Sequence, residues 1–129
     1  VVISDVDNFK KINDSYGHLS GDIVLKALAR LITDTVRNLD VVGRYGGDEF
    51  MLILPDTNNE TALSIIDRIR VAVENMEMPV LKDVNVRITA SFGIAAFPED
   101  GTSLEDLLVA ADERLYKAKR LGKNKIAFK

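Results

Sequence analysis

Residues Arg44–Leu54 read RYGGDEFMLIL, two glycines set directly before two carboxylates with an apolar run behind them. A second β-rich run, DVVGRY over residues 40–45, stops at the same glycines. Gly46 and Gly47 therefore predict a β-hairpin, with both glycines taking the positive φ angles of a tight two-residue turn. The hairpin's mouth holds the densest negative charge of the region, Asp48 and Glu49.

Outward from the hairpin, strands and helices alternate. VVISDVD at the start reads as a strand, followed by a short helix, NFKKINDSYGH, that stops at Gly17. In the next helix Leu25, Leu28, Ala29, Ile32 and Val36 recur at helical spacing, a stripe broad enough to cover a sheet. Beyond the hairpin, Ala62, Ile65, Ile66, Ile69 and Val73 define another amphipathic helix, which Pro79 is expected to end. VNVRITASFGIAAF then reads as one long strand. Thr102 and Glu105 form a capping box for a last helix bearing Leu104, Leu107, Leu108, Ala111 and Leu115, and KIAFK closes the chain as a short strand. This order predicts an α+β fold: a single mixed, mostly antiparallel sheet flanked by helices, ferredoxin-like or palm-type.

Bulk properties narrow the function. The 129 residues, 47% hydrophobic and 29% charged, suffice for one buried core, and residues 1–129 read as one soluble domain. No apolar run is long enough to span a bilayer, so no membrane contact by this domain is expected. The absence of cysteine excludes disulfides and thiolate metal sites. A net charge of −3 argues against nucleic acid as partner, because phosphate neutralisation needs a basic surface. The chain opens directly on a strand without an initiator methionine, which suggests a piece of a longer protein.

Asp5 and Asp7 end the first strand, while Asp48 and Glu49 open the strand after the hairpin. Were those strands neighbours, three or four acids would converge, and their repulsion would call for a raised pKa or a bound cation; all-oxygen donors suit Mg²⁺. The same acids also read as solvated turn residues. His18, the only histidine, has no nucleophile beside it and is assigned a structural role at the helix junction; Phe50, Phe92 and Phe97 are assigned to the core.

RYGGDEF resembles the signature of the GGDEF family, the diguanylate cyclases. DVDNFKKINDSYGHLSGDIVL (residues 5–25) is similar to the family's first strand and following helices, and ADERLYKAKRLGKNKI (111–126) to its last helix and turn. The resemblance implies Mg²⁺, with Mn²⁺ able to substitute, held by Asp5, the carbonyl of Val6, Asp48 and Glu49, and catalysis by Asp48 and Glu49. It implies guanine recognition by Asn13 and Asp22. Phosphates would meet Lys10, Lys119, Lys123, the backbone at Asn8 and Phe9, and the side-chain-free backbone at Gly46 and Gly47. Lys123 departs from the arginine common in the family and loses the bidentate fork. Without the resemblance, the basic residues at the end of the last helix read as solvated cations favoured by its dipole.

The family reaction joins two GTP into cyclic di-GMP in a homodimer. RNLD, Arg37–Asp40, lies five residues before Gly46 and matches the family's RxxD inhibitory site for cyclic di-GMP, with Arg68 as a further contributor. Alone, such a pair usually means an exposed ion pair. The resemblance further implies a cytoplasmic location, alone or as part of a longer protein, an upstream sensory or receiver domain, and an N-terminal segment with a DxLTGLxNR-like motif that these residues do not include. The alternative reading is a catalytically silent domain that binds GTP or cyclic di-GMP. A palm-type polymerase fragment has less support, for want of a basic template groove.

Overall fold

The computed structural model describes residues 1–129. The elements are β1 (Val2–Val6), α1 (Phe9–Tyr16), α2 (His18–Thr35), β2 (Val41–Arg44), β3 (Glu49–Ile53), α3 (Asn59–Asn75), β4 (Glu77–Leu81), β5 (Val84–Arg87), β6 (Ala90–Ile94), α4 (Leu104–Arg120) and β7 (Ile126–Ala127). Five strands form one sheet in the order β2-β3-β1-β6-β7. The first four are antiparallel neighbours, and β7 joins β6 in parallel. The expected α+β fold with a mixed sheet is what forms. No helix is long and apolar enough to cross a membrane.

β1 is central and buried at every position, and its alternation splits the core. Val2 and Val6 join a large cluster with Val24, Leu28, Ile32, Ile66, Ile69 and Phe92, which packs α2 and α3 against one sheet face. Ile3 points the other way, into a smaller cluster with Ala95, Leu107, Ala111 and Leu115 beneath α4. The same side of β1 therefore sends Asp5 and Asp7 toward the end of α4. Helix and sheet touch closely there, because a Cβ at Gly93 of β6 would collide with the backbone of Ala111 and Leu115.

Several expectations need correction. Pro79 does not end α3; Met76 caps that helix, and the proline sits inside β4. β4 pairs only with β5 in a separate two-stranded sheet, where an edge position tolerates a residue without an N–H. The long strand over residues 84–97 is two strands, β5 and β6, broken at Ile88 and Thr89. The cap of α4 lies one residue later than expected: Ser103 accepts from the Asp106 N–H at 3.1 Å. Phe50 and Phe92 are core residues, but Phe97 lies beyond β6 in the following turn and is 66% exposed.

Candidate active site

The hairpin forms where the glycines lie, but its turn differs from the expected one. Arg44 pairs with Phe50, and the amides of Tyr45 and Gly46 both donate to the Glu49 carbonyl. Neither glycine adopts a positive φ. The turn is wider than two residues, and the Arg44 guanidinium braces it by donating to the carbonyls of Gly46 and Gly47 at 2.5–3.2 Å. A Cβ at Gly47 would meet nothing within 4 Å, so its backbone is open to approach; at Gly46 it would meet the Glu49 carboxylate at 2.7 Å. Arg44 carried no functional reading in the sequence, where it looks like any strand-end cation.

β1 and β3 are neighbours, with Asp5 opposite Glu49 and the Val6 amide donating to the Asp48 carbonyl at 3.3 Å. Asp5 is 9% exposed. Its Oδ2 accepts from the Lys119 ammonium, while Oδ1 is buried with no hydrogen-bond partner. Burial pushes the Asp5 carboxyl up to about 7, the neighbouring Asp48 carboxyl adds to the rise, and Lys119 opposes it. Burial also raises Glu49, with Asp112 and Asp48 reinforcing the shift.

The convergence of three or four acids is only partly met. Asp7 turns away: it accepts from Thr89 Oγ1, Ser91 Oγ and the Asn124 amide at 2.7–2.9 Å, tying β1 to β6 and to the turn after α4. No group of three acidic or imidazole side chains is gathered closely enough to form a cage. The donor set nevertheless fits a hard dication, which commonly takes one or two carboxylates and fills its other positions with water and phosphate. The unsatisfied buried Oδ1 of Asp5, beside Asp48, is the observation that supports the fit.

Around this corner the fold gathers cations and free amides. Lys119 reaches β1 from the last turn of α4, and Lys123 Nζ donates to Asn8 Oδ1 at 2.6 Å. Gly122, Lys123 and Asn124 all have positive φ, a tight reversal that directs both lysines to the end of β1. Asn8 precedes α1 in a left-handed conformation, and its side chain does not cap the helix, so the first N–H groups of α1 have no side-chain acceptor. Beside them opens a pocket of about 390 Å³, whose lining includes Lys10, Asn13, His18, Asp22, Gly47 and Asp48. His18 thus starts α2 at the junction, as expected, while also facing this pocket.

The remaining predicted residues lie elsewhere. Arg37 and Asp40 bind each other at 2.8–3.1 Å, and Arg37 also donates to the Pro55 carbonyl and Thr57 Oγ1. The Arg37 hydrogen bonds hold Asp40 below the usual carboxylate range. Arg68 is exposed on α3 and forms no ion pair with either.

The fold is α+β and palm-like, with an acidic hairpin beside a polar pocket. The chain is a member of the GGDEF family: the model described as diguanylate cyclase, GGDEF domain, matches residues 1–125. It is 38% identical over 127 residues to diguanylate cyclase A of Treponema denticola, which covers 98% of this chain and 34% of that protein. The chain therefore spans about a third of that relative's length. Diguanylate cyclase SiaD of Pseudomonas aeruginosa, solved with its activator SiaC, superposes with a TM-score of 0.94 at 36% identity, over 99% of this chain and 48% of that one. The GGDEF domain of DgcB from Caulobacter crescentus, solved with c-di-GMP, gives 0.90 at 32% identity, over 98% of this chain and 75% of that one.

Proposed function

We propose that this domain is a diguanylate cyclase, condensing two GTP into cyclic di-GMP with release of two pyrophosphates. The observation that carries the reading is the unsatisfied Oδ1 of Asp5 beside Asp48, an acid that lines the same pocket as Asn13 and Asp22. In this reading Asp22 accepts from the N1 and N2 donors of guanine, and the Asn13 amide meets an acceptor on the same ring. Lys10, Lys119, Lys123 and the free amides near Asn8 and Phe9 hold the triphosphate against the open backbone at Gly46 and Gly47.

Asp5, the Val6 carbonyl, Asp48 and Glu49 hold Mg²⁺ or Mn²⁺. When bound, such an ion supplies Lewis-acid stabilisation of charge on the phosphate oxygens. Asp48 accepts the proton of the attacking 3′-hydroxyl, a new O–P bond forms at the α-phosphorus of the second GTP, and pyrophosphate leaves. Positioning supplies much of the rate, since one chain offers a place for one GTP. A two-fold symmetric product therefore needs two chains face to face, and in the full protein an upstream sensory or receiver domain brings them together.

Product inhibition is assigned to Arg37 and Asp40, with Arg68 of α3 as a further contributor. The DgcB domain solved with c-di-GMP supports product binding by a domain of this fold, and an arginine already held in place by Asp40 and Thr57 supports the assignment to this pair.

The test is pyrophosphate release from GTP and Mg²⁺ across a wide range of protein concentration, with the product identified by mass. Cyclic di-GMP should appear, and the rate per chain should climb with concentration. Arg37→Ala should carry the reaction several-fold further before it stalls. GTP that binds yet stays intact at the highest concentration would favour the silent, nucleotide-binding reading instead.

A further inference from the structure

Gly21 stands in the first turn of α2, where glycine is less favourable than alanine. Its φ is not in the left-handed region, so the helix backbone itself does not require it. The neighbours do. A Cβ at Gly21 would collide with the Asn13 carbonyl oxygen and come within 3.0 Å of the Phe9 ring, both on α1. That Asn13 oxygen is buried and has no hydrogen-bond partner, a second local cost at the same contact. Two unfavourable features meet at one point on the wall of the pocket shared by Asn13 and Asp22.

From this contact, and resting on the nucleotide reading above, we infer that Gly21 is the specificity-determining position of the base pocket: a notch that seats the Asn13 carbonyl and turns its NH₂ outward. With its oxygen tucked away, Asn13 offers the pocket only a donor, and Asp22, one residue after the notch, offers only acceptors. A donor beside a carboxylate matches a purine edge whose N1–H and N2–H groups adjoin a ring acceptor. It does not match adenine, whose N1 would face the carboxylate lone pairs. Any side chain at position 21 would push α1 outward and free the amide to rotate.

The probe is 3′-deoxy-GTP with Mg²⁺, which lacks the attacking hydroxyl and cannot turn over; inorganic tripolyphosphate serves as the base-free control. Gly21→Ala should still fold, because the atoms it crowds belong to the Asn13 and Phe9 side chains, and should melt somewhat lower than the parent, the gain in helix propensity being set against that crowding, yet bind 3′-deoxy-GTP about tenfold more weakly. Its tripolyphosphate affinity should not change. Asn13→Ala should show a similar loss, and the double variant, in which the crowding is relieved, should lose no more than either single one. The inference fails if Gly21→Ala binds the nucleotide like the parent, if tripolyphosphate binding falls in step, or if the two losses add in full. If the parent domain itself ignores 3′-deoxy-GTP, the nucleotide reading falls and takes the notch with it; parental binding with an unaffected Gly21→Ala overturns the notch alone.

Discussion

Asp5 and Asp100 are both largely shielded carboxylates that face a cation from α4, Lys119 in its last turn and Arg114 five residues earlier. Asp100 meets Arg114, whose fork donates to both oxygens at 2.6–2.7 Å and also to the Ile94 carbonyl, while the Ala96 amide donates to Asp100 at 2.7 Å. Asp5 meets a lysine, a point charge that engages one oxygen and leaves the other buried and unpartnered. The environments drive their pKa values apart: the Arg114 hydrogen bonds hold Asp100 below the usual range, whereas burial and Asp48 lift Asp5. A carboxylate satisfied within the fold serves stability. In the proposed function, the one left unsatisfied beside a second acid receives a cation from outside.

The sharpest way to break this contrast is at the unsatisfied carboxylate. Asp48→Asn keeps the shape of the hairpin but removes a charge from the proposed cation and proton-accepting site. Pyrophosphate release should fall by about three orders of magnitude, comparable to losing a principal charge-stabilising group. The melting temperature should hold or rise, since the variant relieves repulsion against Asp5. Activity retained within a few-fold would remove Asp48 from the reaction.

At the satisfied carboxylate, Arg114→Met should leave nucleotide affinity intact and cost about 2–3 kcal/mol of stability. That is the low side for a broken buried pair, because the two side chains retain 18% and 17% exposure. The pH dependence of unfolding separates the two carboxylates by sign. Asp100 has a lowered folded-state pKa, so its contribution is present above the ordinary aspartate value and is lost as pH falls through the folded one. Asp5 has a raised one; its contribution is complete below the ordinary value and is lost as pH rises through about 7. Denaturant titrations of the metal-free domain should show Asp100→Asn flattening the acid limb below the ordinary aspartate value and Asp5→Asn the limb between about pH 4 and 7. The same limb flattened by both would erase the distinction.

What the sequence disclosed follows from how local each signal is. The hairpin was legible because paired glycines interrupt two β-rich runs, and the helix faces because Ala62 to Val73 recur every three or four residues; all five positions of that stripe are buried. The juxtaposition of Asp5 with the hairpin acids needed only that two strands be neighbours. Long-range arrangements left no such trace. Asp100 and Arg114 lie 14 residues apart with a turn between them, Asp7 bonds partners 82 to 117 residues away, and the Gly21 notch exists only because α1 folds back on α2. Pro79 misled for a physical reason: a breaker in a helix is harmless on an edge strand.

The smallest expected effect probes how closely the phosphate corner is tuned. Lys123 carries a left-handed φ of 64°, and its ammonium rests on Asn8 Oδ1, itself beside the open N-terminus of α1. In the proposed function this lysine leaves Asn8 for a phosphate oxygen when the nucleotide enters. Lys123→Arg keeps the charge and the backbone cost while adding a planar fork that can hold two phosphate oxygens at once. Affinity for 3′-deoxy-GTP should therefore rise by about two- to fivefold, the size of one modest charge-assisted contact, while stability shifts by no more than about 0.5 kcal/mol. Calorimetric titration at fixed Mg²⁺ measures both variants on one scale. An unchanged affinity would mean that Lys123 stays on Asn8 when the nucleotide binds, leaving Lys119, the only other cation at the end of α4 bound to the β1 corner, to hold the phosphates from that side.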